Sequence, residues 1–177
     1  MIPAGKEAEV VARVAVGDAV VYASHGIGRV VAREQRIVAG TERECVVIDL
    51  AAGLRVTLPL DEAADRLRPV LSNKALAAVQ KTLAEKPRAR DGSWTRRIKE
   101  SKAKLTSGQT SELAELVRDG ARYEANGGPR LSTGERRIYV QARQLLVGEI
   151  CAARGVEQDA AEEWIEAQIA LPDESGD

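Results

Sequence analysis

One short segment holds the side chains best suited to binding a nucleic acid. Within residues 91–99, an aromatic ring stands beside three cations: Trp94, Arg96, Arg97 and Lys99. The surrounding residues 86–104 contain eight Lys or Arg and only two Asp or Glu. Cations at this density neutralise phosphates and release their counterions. An aromatic side chain among them can insert at a base step or stack on an unpaired base, so the segment predicts a contact with nucleic acid.

The spacing of Trp94 leaves two interpretations open. Trp94 shares a helical stripe with Ile98, Ser101 and Leu105, which is typical of a core residue. If the helix begins at Trp94, the ring instead lies in the first turn and can project beyond the helix bundle. Periodicity alone does not decide between a buried ring and an exposed one.

The charge of the chain is concentrated in short segments. The net charge is −1, yet residues 149–177 contain nine Asp or Glu and a single Arg, opposite in sign to residues 86–104. A nearly neutral protein with one basic segment presents a local anion-binding surface rather than a generally basic one. The acidic segment is most simply a solvated face.

The sequence lacks the motifs of common enzymes, metal proteins and membrane proteins. It contains no GxxxxGK[ST], GxGxxG or GxSxG pattern. Its one histidine, His25, is best explained as a turn residue, and it lies far from both cysteines, so no metal site is predicted. No apolar stretch approaches the roughly 18 residues of a membrane span. We expect a cytoplasmic protein with no catalytic activity and no cofactor.

Residues 14–70 have the pattern of β-strands. Runs rich in Val and Ile, partly alternating with polar residues, are separated by turns that contain glycine. The predicted strands are 16–22, 27–36, 44–50 and 54–60, with a short fifth strand at 67–71. Strands so few and so short predict a small, strongly bent barrel of the SH3 or Tudor type.

From Ser72 onward, the apolar residues recur at helical spacing. Five helices are predicted: one through Leu76 and Leu83, one starting near Trp94, and three near 111–124, 133–146 and 159–170. The long fourth helix is marked by the capping box that begins at Ser132 and ends at Glu135.

The predicted fold class is therefore α+β, with a small Tudor/SH3-like β-barrel followed by an all-α domain of about five helices. We expect an N-terminal extension at 1–13, the β domain at 14–71, the helical domain at 72–171 and an acidic tail at 172–177.

Several motifs, in order along both domains, resemble one known family. They are Val16-Gly-Asp-Ala-Val-Val-Tyr22 with His25-Gly26, Leu58-Pro59, Trp94-Thr-Arg-Arg-Ile-Lys99, Leu131-Ser-Thr-Gly-Glu-Arg136 and Ala142-Arg-Gln-Leu-Leu-Val-Gly-Glu149. Together they resemble the CarD/CdnL family of bacterial RNA polymerase-binding transcription regulators, over about residues 14–155. The first motif also resembles the polymerase-binding module of transcription-repair coupling factors, but this chain lacks their helicase motifs.

The resemblance implies a function for each domain. In that family the Tudor-like domain binds the β subunit of RNA polymerase. The helical domain contacts promoter DNA at the upstream edge of the transcription bubble, where a tryptophan wedges into the minor groove and slows bubble collapse. The wedge corresponds to Trp94, and the DNA-contacting cations correspond to Arg96, Arg97 and Lys99.

A polymerase-facing arginine of the family corresponds to Arg36. A second one corresponds to Thr57, which is a departure from the family pattern. Arg55 lies two residues earlier on the same predicted strand, hence on the same face, and can substitute for it.

The resulting hypothesis is a monomeric, non-enzymatic regulator that binds RNA polymerase and promoter DNA together. Its DNA binding would not depend on sequence, and no membrane would be among its partners. Two alternatives belong to other classes. In a pure protein-interaction scaffold, the basic helix would bind an acidic partner and Trp94 would be a core residue. An independent nucleic-acid-binding protein would bind tightly without polymerase.

Overall fold

The computed structural model describes residues 14–22, 25–51, 53–87, 92–125 and 131–170. Contacts between residues divide the chain after Val70 into two compact units. The first unit holds all the described strands and one short helix, and the second holds the other described helices. The α+β class predicted from the sequence is confirmed.

The first unit is built on one antiparallel five-stranded sheet with the order β4-β3-β2-β1-β5. Its strands are β1 Ala19–Tyr22, β2 Gly26–Val38, β3 Thr41–Leu50, β4 Arg55–Pro59 and β5 Leu67–Pro69. Between β2 and β3 the turn has two residues, Ala39 and Gly40, both with positive φ. That conformation matches the right-handed twist of the two long strands, which it joins as a hairpin.

The main apolar cluster of the sheet unit lies on one face. Val46, Ile48 and Leu50 alternate along β3 and are buried with Val30 and Leu58. Cys45 and Val47, which point to the opposite face of β3, are buried as well, so the middle of this strand is covered on both faces.

The predicted barrel is not closed. Among the described residues, β4 and β5 are edges of the sheet that do not pair with each other. A helix that the sequence analysis missed, α1 (Leu60–Arg66), connects these edges and packs against β3, β4 and β5. Its residue Ala63 is fully buried in the sheet core, so a helix covers the core where a further strand pairing would have been needed to close the barrel.

The second unit is a bundle whose five described helices agree in number with the prediction and lie at the predicted positions, except that the fourth of them continues to Arg154, beyond its predicted end near 146. They are α2 Asn73–Ala84, α3 Trp94–Ser107, α4 Thr110–Ala125, α5 Thr133–Arg154 and α6 Gln158–Ala170. Their apolar stripes meet in one buried cluster that includes Leu83, Leu113, Leu146, Ile150 and Ile165. No helix in the described ranges is long and apolar enough to cross a membrane.

Serine side chains cap three of these helices at the N-terminus. Ser72, Ser93 and Ser132 each accept a hydrogen bond from the backbone N–H three residues later. At Ser132 the reciprocal bond is present as well, because Glu135 accepts from the Ser132 backbone N–H. The capping box predicted from the sequence is therefore formed, and it fixes the start of α5.

Candidate nucleic-acid interface

Trp94 is the first residue of α3 and lies outside the buried cluster of the helical unit. Ser93 caps the helix immediately before it, so the ring occupies the first turn. Trp94 is 52% exposed, whereas Leu105, on the same stripe, is buried. Of the two interpretations that periodicity left open, the structure thus supports the exposed ring.

The Trp94 ring is held against the beginning of α5. Its indole Nε1 donates a hydrogen bond to Ser132 Oγ over 3.0 Å. A Cβ placed on Gly134 would lie 4.0 Å from the ring carbon Cζ2. The ring is therefore exposed on one side and packed on the other, in a fixed orientation.

Arg97 faces the same helix start as Trp94. Its Nη1 donates to the Gly92 carbonyl over 2.9 Å, and its Nε lies 3.5 Å from Glu135 Oε1. Only 25% of its side chain is exposed. Arg97 therefore connects α3 to the capping box of α5, and its charge is partly neutralised by Glu135.

Arg96 and Lys99 point the other way, into solvent. They are three residues apart and so share one face of α3, and both are exposed. Arg96 Nε donates to Glu100 Oε1 over 2.7 Å, which lowers the pKa of the Glu100 carboxyl. Lys99 makes no ion pair with any other residue that the structure describes. An exposed pair such as Arg96–Glu100 contributes little free energy, so both cations can bind phosphate.

The sequence analysis missed further polar residues beside this surface. The first turns of α5 border an open depression with a volume of about 600 Å³. It is lined by Leu131, Thr133, Arg136, Arg137, Val140, Gln141 and Gln144. The signal for its basic part was present in the sequence, since Arg136 and Arg137 directly follow the capping box.

The three candidate polymerase-binding residues lie on one face of the sheet. Arg36 is paired with Arg43 of β3, Thr57 with Val47 and Arg55 with Asp49. Positions 43, 47 and 49 alternate with the buried Val46 and Ile48, so they point to the face opposite the sheet core.

Ion pairs on this face order both candidate arginines. Arg55 donates from Nε and Nη2 to the two carboxylate oxygens of Asp49, over 2.5 and 2.8 Å. This bidentate contact lowers the pKa of Asp49 and raises that of Arg55. Arg36 Nε donates to Glu34 over 2.6 Å. Next to it in β2, near the hairpin tip, is Ile37, an apolar side chain that is 80% exposed and that the sequence pattern did not predict to be exposed.

His25 is exposed and stacks on the Tyr22 ring, with 4.8 Å between ring centroids. Within the described ranges, no three His, Cys, Asp or Glu residues are grouped so that they could hold a metal ion.

Comparison with known proteins agrees with this division into two units. The family model "CarD, C-terminal domain" matches residues 78–166, which is half of the chain, and the model "CarD-like/TRCF RID domain" matches residues 14–71. The chain belongs to the CarD family. Members of this family are transcription factors rather than enzymes, so the chain is a transcription-related regulator that interacts with RNA polymerase.

A curated relative supports the same assignment. This CarD family chain is similar to YdeB of Bacillus subtilis (strain 168), whose name describes it as a candidate transcription factor. The two are 26% identical over 143 residues, which cover 80% of this chain and 92% of YdeB. The similarity therefore extends over both units.

Proposed function

We propose that this CarD family protein binds the β subunit of RNA polymerase with its sheet unit and promoter DNA with its helical unit. As a monomer, it would contact the upstream edge of the transcription bubble and stabilise the open complex with Trp94 as a wedge. The observation that carries the proposal is the half-exposed Trp94 ring, fixed at a helix start beside exposed cations.

The wedge favours the open state because its binding site exists only there. An aromatic ring inserted at an unstacked base step fills the gap that opening creates, and stacking of an aromatic side chain on a base is worth about 1–3 kcal/mol. Closed duplex offers no such gap. A ligand that binds one of two states shifts the equilibrium by its differential affinity, so Trp94 slows bubble collapse without any chemical step.

The cations supply DNA affinity that does not depend on sequence. Arg96 and Lys99 reach phosphates from the exposed face of α3, and Arg97 adds to the local positive potential from the side that faces α5. A few phosphate contacts give only weak binding at physiological salt. Attachment to polymerase raises the local concentration and makes weak contacts sufficient, which agrees with a net charge of −1.

The sheet face that carries Arg36, Arg55 and Thr57 is the proposed polymerase surface. Arg55 substitutes for an arginine at position 57, because both residues lie on the same face of β4. The guanidinium of Arg55 is held by Asp49, so it is oriented before a partner binds.

The alternatives are less consistent with these observations. A scaffold with Trp94 in its core requires a buried ring, and the ring is 52% exposed. An independent nucleic-acid-binding protein is usually more basic than this chain.

The lifetime of open promoter complexes tests the proposal. Trp94→Ala should return the lifetime close to its value without the protein, while polymerase binding stays unchanged. Because Trp94 is half exposed, the free energy of unfolding should fall by much less than the about 3–5 kcal/mol that truncation of a buried tryptophan costs. Urea unfolding measures this change.

Lys81→Ala is the matched control, because Lys81 is exposed on α2, outside the proposed surface. It should leave the open-complex lifetime unchanged. A folded Trp94→Ala protein that prolongs the lifetime as the wild type does would refute the proposed wedge.

A further inference from the structure

We infer that Ser132, the N-cap of α5, is a positioning residue that holds the Trp94 ring in its exposed orientation. The functional part of this inference rests on the proposed function, whereas its structural part is tested independently of it. Ser132 lies 38 residues from Trp94 in the sequence, and the two are joined by the 3.0 Å hydrogen bond from the indole N–H.

The Ser132 hydroxyl has every hydrogen-bonding site in use. It donates to Glu135 Oε2 over 2.7 Å, and it accepts from the Glu135 backbone N–H over 3.3 Å and from Trp94 Nε1 over 3.0 Å. A serine hydroxyl offers one donor and two acceptor sites, so this arrangement saturates it. The oxygen is therefore held in one position by α5 itself.

The contact with Trp94 goes beyond what helix capping requires. Ser72 and Ser93 cap α2 and α3 by accepting one bond each from a backbone N–H. Ser132 does the same and also accepts from a side chain of another helix. Glu135 strengthens this arrangement, because its second oxygen, Oε1, lies 3.5 Å from Arg97 Nε.

Orientation matters for a ring that is half exposed. Ordering a free side chain on binding costs conformational entropy, and a ring that is already ordered avoids that cost. Gly134, two residues after Ser132, also lies close to the ring, since a Cβ there would lie 3.3 Å from Ile98 Cδ1 and 4.0 Å from the Trp94 ring. The start of α5 thus presents one hydrogen-bond acceptor and one position without a side chain to the indole.

Ser132→Gly separates positioning from capping. Glycine is nearly as good an N-cap as threonine, whereas alanine is much poorer, and the Glu135 carboxylate can still accept from the backbone N–H of residue 132. The variant removes Oγ, the acceptor for the indole. Ser72→Gly is the matched control, because it makes the same change at the N-cap of α2, and Ser132→Thr keeps the hydroxyl.

The readout is hydrogen exchange of the Trp94 indole N–H, followed by NMR in the full-length protein. The chain has two tryptophans, and Trp164→Phe identifies the signal. A hydrogen bond is worth about 1 kcal/mol net, which corresponds to about fivefold in exchange rate. We expect about this acceleration in Ser132→Gly, and rates close to wild type in Ser132→Thr and Ser72→Gly. Unchanged exchange in Ser132→Gly would overturn the inference.

Open-complex lifetimes complete the test. Ser132→Gly should shorten the lifetime part of the way toward that of Trp94→Ala, and Ser132→Thr should restore it. If Trp94→Ala shortens the lifetime but Ser132→Gly does not, the positioning role is refuted while the proposed function stands. If Trp94→Ala has no effect, the proposed function fails, and the exchange rates alone decide whether Ser132 holds the ring.

Discussion

Arg96 and Arg97 are neighbours in the sequence but have different surroundings. The Arg96 side chain is 72% exposed, and its exposed ion pair with Glu100 contributes little free energy. The Arg97 side chain is only 25% exposed and faces Glu135. Successive residues of a helix point about 100° apart, so Arg96 can face solvent while Arg97 faces the start of α5. The two arginines should therefore contribute differently to DNA binding.

Salt dependence of DNA affinity measures that difference. Each phosphate contact adds about one unit to the slope of log K against log salt. Arg96→Ala and Lys99→Ala should each reduce the slope by about one, and Arg97→Ala should reduce it by less, because the charge of Arg97 is already opposed by Glu135. Binding of a labelled duplex at several salt concentrations gives the slopes. An equal reduction in Lys81→Ala would show that the assigned face is wrong.

At the residue scale, the sequence predicted the features that depend on residues close together in the chain. The capping box of Ser132 and Glu135 follows from residue types three positions apart and is present. The exposure of Trp94 could not be predicted, because its stripe through Ile98 and Leu105 is equally typical of a core residue. The hydrogen bond to Ser132 spans 38 residues, and no local pattern indicates it.

At the scale of elements, the contact between α4 and α5 depends on one glycine. A Cβ on Gly120 would lie 2.4 Å from Tyr139 Cδ2, so the ring of Tyr139 packs directly on the backbone of α4. Tyr139 also accepts a hydrogen bond from Arg143 over 3.1 Å. The absence of a side chain at position 120 lets α4 approach closely to α5, the helix whose start carries Ser132.

Two glycine-to-alanine changes should have opposite effects on stability. Gly120→Ala overpacks the contact with Tyr139, which typically costs about 1–3 kcal/mol. Gly148→Ala, in α5, meets no other atom within 4 Å and should stabilise the protein by about 0.5–1 kcal/mol, because alanine favours the helix. Urea unfolding measures both changes, and a destabilised Gly148→Ala protein would contradict the described surroundings of α5.

Arg143 joins α5 to α6. It donates to Glu162 over 2.7 Å and to Glu166 over 2.6 Å. Burial alone would lower the pKa of Arg143, but its hydrogen bonds to Glu166 and Glu162 outweigh burial and raise it. Part of the acidic segment noted in the sequence thus has a structural role, since these carboxylates hold α6 against α5.

The elements that the sequence predicted poorly are short or depend on pairing at a distance. The five described helices of the second unit follow from apolar spacing over three or more turns. The seven-residue α1 is too short for such periodicity, and it directly follows a strand. An open or closed sheet depends on whether β4 and β5 meet, and neither strand carries a local signal for that.

At the scale of the molecule, the proposed function combines two interactions in one chain, one with polymerase and one with DNA. The sheet unit and the helical unit are matched by separate family models. The net charge of −1 does not favour tight DNA binding by the free protein. Affinity for polymerase should therefore mainly determine the protein concentration at which open complexes are stabilised. Trp94 should determine how strongly they are stabilised.

Titration of open-complex lifetime against protein concentration separates these two quantities. Reversing the charges at Arg36 and Arg55 to Glu should raise the half-saturating concentration at least tenfold, which is about 1.4 kcal/mol, and leave the plateau nearly unchanged. Trp94→Ala should lower the plateau, and it should raise the half-saturating concentration only to the extent that the wedge adds affinity for the open complex. Lys74→Glu, at an exposed position of α2, controls for charge reversal. An unshifted curve for the double reversal would exclude the assigned sheet face.

The central claim is that Trp94 stabilises opened DNA, and promoter opening at equilibrium tests it most directly. A 2-aminopurine base placed at the upstream edge of the bubble becomes fluorescent when it unstacks, and a promoter with a short-lived open complex leaves room for an increase. At concentrations that saturate polymerase, the wild-type protein should raise the fluorescence. Trp94→Ala, bound to the same extent, should leave it at the level of polymerase alone. An equal increase with both proteins would contradict the account.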